Sequence, residues 1–149
     1  MTSSAREISD QLLIVAARDS AEQGGRPAEL LTHLKLQKLL YYVQGFHLVM
    51  RDGPAFGEDI LAWRHGPVVR EVYNTYRGIG YAGIPAPRVG PKLPHETVHV
   101  IEQVSEAYGQ FSAWRLRQMT HETPPWKNTP QGSVISHKAM REYFLTQLD

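Results

Sequence analysis

The chain has 149 residues, 42% of them hydrophobic, and contains no cysteine. Its length fits one domain that buries roughly 70% of its unfolded surface. The lack of cysteine excludes disulfides, thiol nucleophiles and cysteine-ligated zinc. With 16 basic and 15 acidic side chains the net charge is +1, so charge gives no reason to expect nucleic acid as a partner.

The distribution of apolar residues gives no sign of a membrane segment. The longest aliphatic run, from Leu12 to Ala17, is much shorter than the roughly 18 residues that a membrane-spanning helix needs. Glu7 and Asp10 precede this run, so the beginning of the chain does not have the pattern of a signal peptide. We therefore expect a cytoplasmic protein without a membrane partner, folded as one domain over residues 1–149.

A first helix is predicted to begin at Ser4, because Ser4 and Glu7 have the spacing of a capping box. Gly24 and Gly25 provide a stop signal for this helix. Its apolar residues follow helical spacing and should face the core. They are Ile8, Leu12, Val15 and Ala16.

A second helix is predicted from a Thr32 cap to about Met50. Over residues 34–50 its only charged side chains are Lys35 and Lys38, and a helix that is apolar nearly all round must be covered on most sides. We therefore predict that it is the central helix. Gly45 in its interior costs roughly 1 kcal/mol relative to alanine, which predicts that another backbone crosses close to it.

The middle of the chain predicts one short strand and a third helix. Residues 60–64 are long enough only for a short strand, and Gly66-Pro67 has the pattern of a helix entry with proline at the first helical position. Gly78 or Gly80 should end this helix, and an irregular connection should follow as far as residue 94. The predicted buried side consists of Val68, Val69, Val72, Tyr73 and Tyr76.

Three further helices complete the prediction. One should run from about His95 to Tyr108, and the next should begin after a Ser112 cap and end at Pro124-Pro125. Trp126 should then lie in a turn-rich stretch. The last helix should begin after Ser136 and direct Met140, Tyr143, Phe144 and Leu148 inward. The predicted fold is mainly α, a single helical domain around a central helix with a minor short β or extended element.

One motif has the residue types of a zinc hydrolase. His95, Glu96 and His99 form the pattern H-E-x-x-H, in which two histidines on one helical face bind zinc and the glutamate acts as a general base. The motif occupies the first turn of its helix, and no signal identifies a third ligand, for which Glu122 is one choice. A solvated helix start with Glu96 near the positive end of the helix dipole is the favoured interpretation.

Basic and aromatic residues between positions 35 and 77 suggest an interaction surface. Arginine, lysine and aromatic side chains suit single-stranded nucleic acid, in which aromatic rings stack on bases, and they equally suit a protein interface. The alternative is that the aromatic residues are core and the arginines are solvated. The residues concerned are Lys35, Lys38, Tyr41, Trp63, Arg64, Arg70, Tyr73, Tyr76 and Arg77.

An ordered set of segments resembles a known family. The run LKLQKLLYYVQGFH from Leu34 to His47 is followed by AWRHGPVV from Ala62 to Val69, then by Glu71-Val72-Tyr73, Thr120-His121 and Pro125-Trp126. This set is similar to the Panacea domain of SocA-like antitoxins, which includes phage-associated GepA-like proteins. The sequence departs mildly from the pattern, with Phe46 where tryptophan is common and Pro124-Pro125 before the late tryptophan.

The resemblance implies a protein-binding module of a bacterial or phage toxin–antitoxin pair, without catalytic residues, metal or cofactor. Its partner would be a toxin encoded nearby, neutralised by direct binding or delivered to the ClpXP protease, and the chain could also form a homo-oligomer. The alternative for several candidates is a structural role, in which they hold the interior together through buried hydrogen bonds. The candidate partner-binding residues are Lys35, Gln37, Lys38, Tyr41, Trp63, Arg64, His65, Arg70, Arg77, His121 and Trp126.

Overall fold

The computed structural model describes residues 2–22 and 30–148. These residues form seven α-helices and one two-stranded antiparallel sheet, which confirms the predicted mainly α fold. The predicted helix stop at Gly24-Gly25 lies outside the described residues. The elements are α1 (Ala5–Glu22), α2 (His33–Met50), β1 (Leu61–Trp63), β2 (Gly66–Val68), α3 (Arg70–Tyr76), α4 (His95–Tyr108), α5 (Ala113–His121), α6 (Pro124–Lys127) and α7 (His137–Leu145).

Helix α2 is the central helix, as predicted. Most of its residues are buried, and it packs against α1, α3, α4, α5, α7 and β2. Its predicted cap is confirmed, because Thr32 Oγ1 accepts a hydrogen bond from the Lys35 amide at 3.2 Å. The capping box of α1 is also confirmed: the Ser4 amide donates to Glu7 Oε1 at 2.9 Å, and the Glu7 amide donates to Ser4 Oγ at 3.1 Å.

The helix entry predicted at Gly66-Pro67 is wrong. Gly66 has φ of +120°, a left-handed conformation that favours glycine and cannot start a right-handed helix. Instead, Trp63 pairs with Gly66 and Leu61 with Val68, so Arg64 and His65 form the turn of a hairpin. Helix α3 begins only at Arg70. Val68 is therefore buried as part of β2, and Val69 is buried as the residue that precedes α3.

Two predictions near the C-terminal end of the chain are also wrong. Helix α5 ends at His121, and Pro124-Pro125 begins the short helix α6, which includes Trp126. Proline is tolerated in a first turn because the amide it lacks would have no partner inside the helix. Leu148 lies beyond α7 and is exposed, whereas Met140 and Phe144 are buried as predicted.

The close approach predicted at Gly45 is present, but it comes from a side chain and not from a backbone. A Cβ atom built on Gly45 would overlap the buried ring of Phe144 on α7. Tyr41 and Tyr42 surround the same ring in edge-to-face contacts, with centroids 5.5 Å and 6.0 Å from that of Phe144. Glycine is therefore the residue that lets α7 pack on α2.

Changing Gly45 to alanine should destabilise the protein. The added methyl group must displace the Phe144 ring, and overpacking of this kind costs about 1–3 kcal/mol. Chemical denaturation of G45A and of the wild type measures the loss. Gly78 provides the control G78A, because a Cβ atom added at Gly78 would meet no other atom within 4 Å; G78A should change the free energy of unfolding by less than about 0.5 kcal/mol. Equal stability of G45A and the wild type would contradict the packing seen here.

Candidate functional site

Five aromatic side chains from five elements lie in a continuous row. The rings of His121 and Trp126 stack with centroids 4.0 Å apart, and Trp126 Nε1 donates a hydrogen bond to the Trp63 carbonyl at 2.9 Å. The Trp63 ring meets Tyr73 edge-on at 5.1 Å, and Tyr73 meets His33 at 6.1 Å. We call these five residues the aromatic row. It brings together parts of α2, β1, α3, α5 and α6 that are far apart in the sequence.

Buried hydrogen bonds hold the elements of the row in place. Gln37 Nε2 donates to the Val69 carbonyl at 3.2 Å, and Gln37 Oε1 accepts from the Val69 amide at 2.8 Å. This paired contact fixes the chain between β2 and α3 against the central helix. The free edge of β1 is covered by residues 132–135, which hydrogen bond with the backbone of Ala62 and Ile60.

A second set of hydrogen bonds fixes the turn between α5 and α6. Thr123 Oγ1 donates to the Thr120 carbonyl at 2.7 Å, so its hydrogen is used, and Tyr41 must donate its hydroxyl hydrogen to Thr123 Oγ1 at 2.8 Å. Burial raises the pKa of Tyr41 because the charged phenolate is disfavoured there. Tyr41 is therefore a neutral donor that ties α2 to this turn.

Lys38 is a buried residue of α2 beside the aromatic row. Its residue is only 3% exposed, and a Cβ atom on Gly66 would lie 2.8 Å from Lys38 Cε and 3.3 Å from Lys38 Nζ. The same position is 3.3 Å from Thr120 Oγ1. Burial, together with the charge of Arg117, lowers the pKa of Lys38 to about 8. Glycine at position 66 thus leaves room for the end of the lysine side chain.

Four basic residues near the row are exposed. Arg64 and His65 form the hairpin turn, Arg70 is the first residue of α3, and Arg77 directly follows the last. Arg70, Tyr73 and Arg77 have the spacing i, i+3 and i+7, which places them on one side of α3 and of the short 3₁₀ helix (Arg77–Ile79) that follows it. We refer to the aromatic row and these four residues as the row surface.

The candidate partner-binding residues fall into two groups. Trp63, Arg64, His65, Arg70, Arg77, His121 and Trp126 all belong to the row surface. In the second group, Gln37 and Tyr41 are buried with their polar atoms bonded inside the protein, and Lys35 is half-buried and donates to the Gly109 carbonyl at 2.6 Å. Lys38, the last member of the second group, is buried beneath the row surface.

Sequence reasoning missed two members of this region. His33 was assigned no role, although it lies in the first turn of α2 and contacts Tyr73. Arg117 was also missed, although its spacing of four residues from His121 on a predicted helix would have placed the two on one face. Its guanidinium lies 4.9 Å from the ring centre of the exposed Trp114.

The H-E-x-x-H motif lies in the first turn of α4, away from these contacts. His95, Glu96 and His99 are exposed, whereas Thr97 between them is buried and hydrogen bonds with His47 Nε2 at 2.9 Å. The other ring nitrogen of His47 lies 2.6 Å from the Gly53 carbonyl and must donate to it, so His47 joins the start of α4 to residue 53. Within residues 2–22 and 30–148, no group of three or more histidine, aspartate and glutamate residues is placed to hold a metal ion.

We expect the purified protein to contain much less than one zinc per chain, because two exposed histidines fall short of the three protein ligands usual for catalytic zinc. Elemental analysis of protein made without a histidine tag or added metal checks this. About one zinc per chain that is lost in H95A would instead support a metal-dependent hydrolase.

The family model that describes the antitoxin SocA-like, Panacea domain matches residues 36–127. This chain belongs to that family. The match covers more than half of the chain and contains every member of the row surface except His33, and the family supports an antitoxin role and suggests a non-enzymatic one. Neither the comparison with curated proteins nor that with solved structures found a match. In the part of the chain that the structure describes, no helix is long and apolar enough to span a membrane.

Proposed function

We propose that this member of the SocA-like antitoxin family neutralises a toxin encoded beside it by binding the toxin directly through the row surface. The observation that supports the proposal most is the convergence of Trp63, His121 and Trp126 with exposed Arg64 and His65. Tyrosine, tryptophan and arginine are enriched at protein interfaces and carry a large share of their binding energy. Neutralisation by binding needs such anchors and no catalytic group.

The same arrangement favours a protein partner over single-stranded nucleic acid. The rings of the row are engaged with one another, since His121 stacks on Trp126 and Trp63 packs edge-on against Tyr73. Stacking on bases requires ring faces that are free to receive them. A protein surface can instead pack against the edges of the row and pair with the arginines at its border.

We further propose that the whole chain acts as one domain. Helices α1 and α7 lie outside the region matched by the family model, but both contribute to the same hydrophobic core. Ile8 and Leu12 of α1 and Met140 and Phe144 of α7 are buried in one cluster with α2. Removal of either helix would expose the central helix, so residues 36–127 alone should not retain antitoxin activity.

The direct test is complex formation with the product of each neighbouring gene. Co-expression followed by size-exclusion chromatography with light scattering should show one neighbour in a stoichiometric complex, burying about 1,600 Å² in total as a typical specific interface does. The light-scattering mass of the free chain also gives its oligomeric state. If no neighbouring product is toxic, or if a toxic one does not bind, the proposed function is wrong.

A second measurement separates blocking from delivery to a protease. If binding alone neutralises the toxin, growth should recover in cells that lack ClpXP and the toxin level should remain constant. If the protein delivers the toxin to ClpXP, recovery should require the protease and the toxin should disappear after the antitoxin is induced. The complex itself is expected in both cases.

A further inference from the structure

Lys38 carries a buried charge for which the described part of the chain supplies no partner. Within residues 2–22 and 30–148 its ammonium makes no hydrogen bond and no ion pair with a carboxylate, although Nζ is not among the nitrogens sealed from solvent. Leaving a buried charge unpaired is costly, and an apolar side chain of similar size would serve packing better. Packing alone therefore does not explain a lysine at this position.

The groups around Lys38 are also basic. Arg117 and Lys38 both contribute to lowering the pKa of His121, and Lys38 contributes to lowering that of His33, after burial as the main cause in each case. No carboxylate is among the groups that shift the pKa of Lys38, His33 or His121. This contrasts with the whole chain, in which acidic and basic residues are nearly equal in number. The region is locally positive in a protein that is close to neutral.

A second unpartnered group lies in the same place. His121 Nε2 is sealed from solvent and has no hydrogen-bond partner within the described residues, although a backbone hydrogen bond with His65 opposes part of the lowering of the pKa of His121 by burial. His121 follows Arg117 by one helical turn on α5. Thr120 Oγ1, next to His121 in the sequence, and Lys38 Nζ each lie 3.3 Å from the position that a Cβ atom on Gly66 would take. The space next to Gly66 is filled by the lysine itself.

We propose that Lys38, with His121 beside it, forms a subsite that accepts one carboxylate carried by the toxin. This inference rests on the proposed function. An anion is the ligand that pairs with an unpartnered ammonium among basic neighbours. The carboxylate follows from the partner, because aspartate, glutamate and the C-terminus provide the anionic groups of an unmodified protein near neutral pH. The subsite lies under the aromatic row. One acidic side chain of the toxin, surrounded by apolar contacts, would therefore fix the position of the toxin on this surface.

The variant K38M tests this subsite, because methionine keeps an unbranched apolar side chain and removes the charge. We expect K38M to be as stable as the wild type or more stable in chemical denaturation, since the buried charge is lost. We expect its Kd for the toxin to rise at least about 30-fold, because the toxin carboxylate is then left buried and unpaired. The matched control K92M removes an exposed lysine outside this region and should bind the toxin as the wild type does.

A Kd of K38M within about twofold of the wild-type value would overturn the proposal. A marked loss of stability in the free K38M protein would also overturn it, because the lysine would then be needed for folding. If the wild type binds no neighbouring toxin, the proposed function fails and the toxin is excluded as the source of the carboxylate.

A titration of the free wild-type protein decides anion binding independently of the toxin. Sodium acetate replaces sodium chloride at constant ionic strength while the Lys38 Cε and His121 ring resonances are followed by NMR. Saturable shifts at both residues, with none at Lys92, are expected. Absence of these shifts, or clearly tighter binding of inorganic phosphate at the same residues, would overturn the assignment of a carboxylate subsite.

Discussion

Replacing Gln44 by leucine should lower the free energy of unfolding by at least about 3 kcal/mol. Gln44 Oε1 accepts hydrogen bonds from the Ala55 amide at 2.8 Å and the Phe56 amide at 3.3 Å, and its Nε2 donates to the Phe56 carbonyl at 2.9 Å. Gln44 and Phe56 are 0% exposed, so water cannot replace the amide. Each buried polar group left without a partner costs about 1–3 kcal/mol.

Urea denaturation of Q44L measures this effect. The control Q103L makes the same chemical change at an exposed position of α4 and should alter stability by less than about 0.5 kcal/mol. Because a domain is stable by only about 5–15 kcal/mol, Q44L should also melt at a clearly lower temperature. A loss below about 1 kcal/mol would show that the segment around Phe56 does not depend on this side chain.

Reversing the charge of Arg64 should weaken toxin binding by about 30-fold without unfolding the protein. Arg64 is exposed in the hairpin turn beside Trp63, and loss of an arginine anchor at the centre of an interface costs about 2 kcal/mol or more, which corresponds to about 30-fold in Kd. Isothermal titration calorimetry of R64E with the toxin gives the affinity, and circular dichroism confirms the fold. The control R88E makes the same change at an exposed arginine outside the row surface.

An unchanged affinity of R64E, or an equal loss in R88E, would remove the hairpin turn from the interface. The first result would mean that the toxin binds elsewhere. The second would mean that the total charge of the protein, and not this position, controls association.

The parts of the fold that could be predicted are those that local sequence signals specify. The caps at Ser4, Thr32, Ser112 and Ser136 are short-range hydrogen-bond patterns, and all four helices begin where they predict. The hairpin was missed because Gly-Pro is compatible with both a helix entry and a tight turn. Only the pairing of β1 with β2 forces Gly66 to its positive φ.

The candidate site was predictable as a set of residues but not as an arrangement. Lys38, Trp63, His65, His121 and Trp126 were all selected from sequence, yet their proximity depends on contacts between residues far apart in the chain. The buried roles of Gln37 and Tyr41 depend on Val69 and Thr123, which only the folded chain brings to them. No periodic pattern encodes such pairings.

Growth rescue tests the central claim most directly. Cells that express the toxic neighbour should stop growing, and wild-type antitoxin expressed in the same cells should restore growth. R64E should restore it poorly at equal protein level, while H95A and E96A should restore it fully because the H-E-x-x-H motif has no part in binding. Failure of the wild-type chain to restore growth against any toxic neighbour would contradict the antitoxin function proposed here.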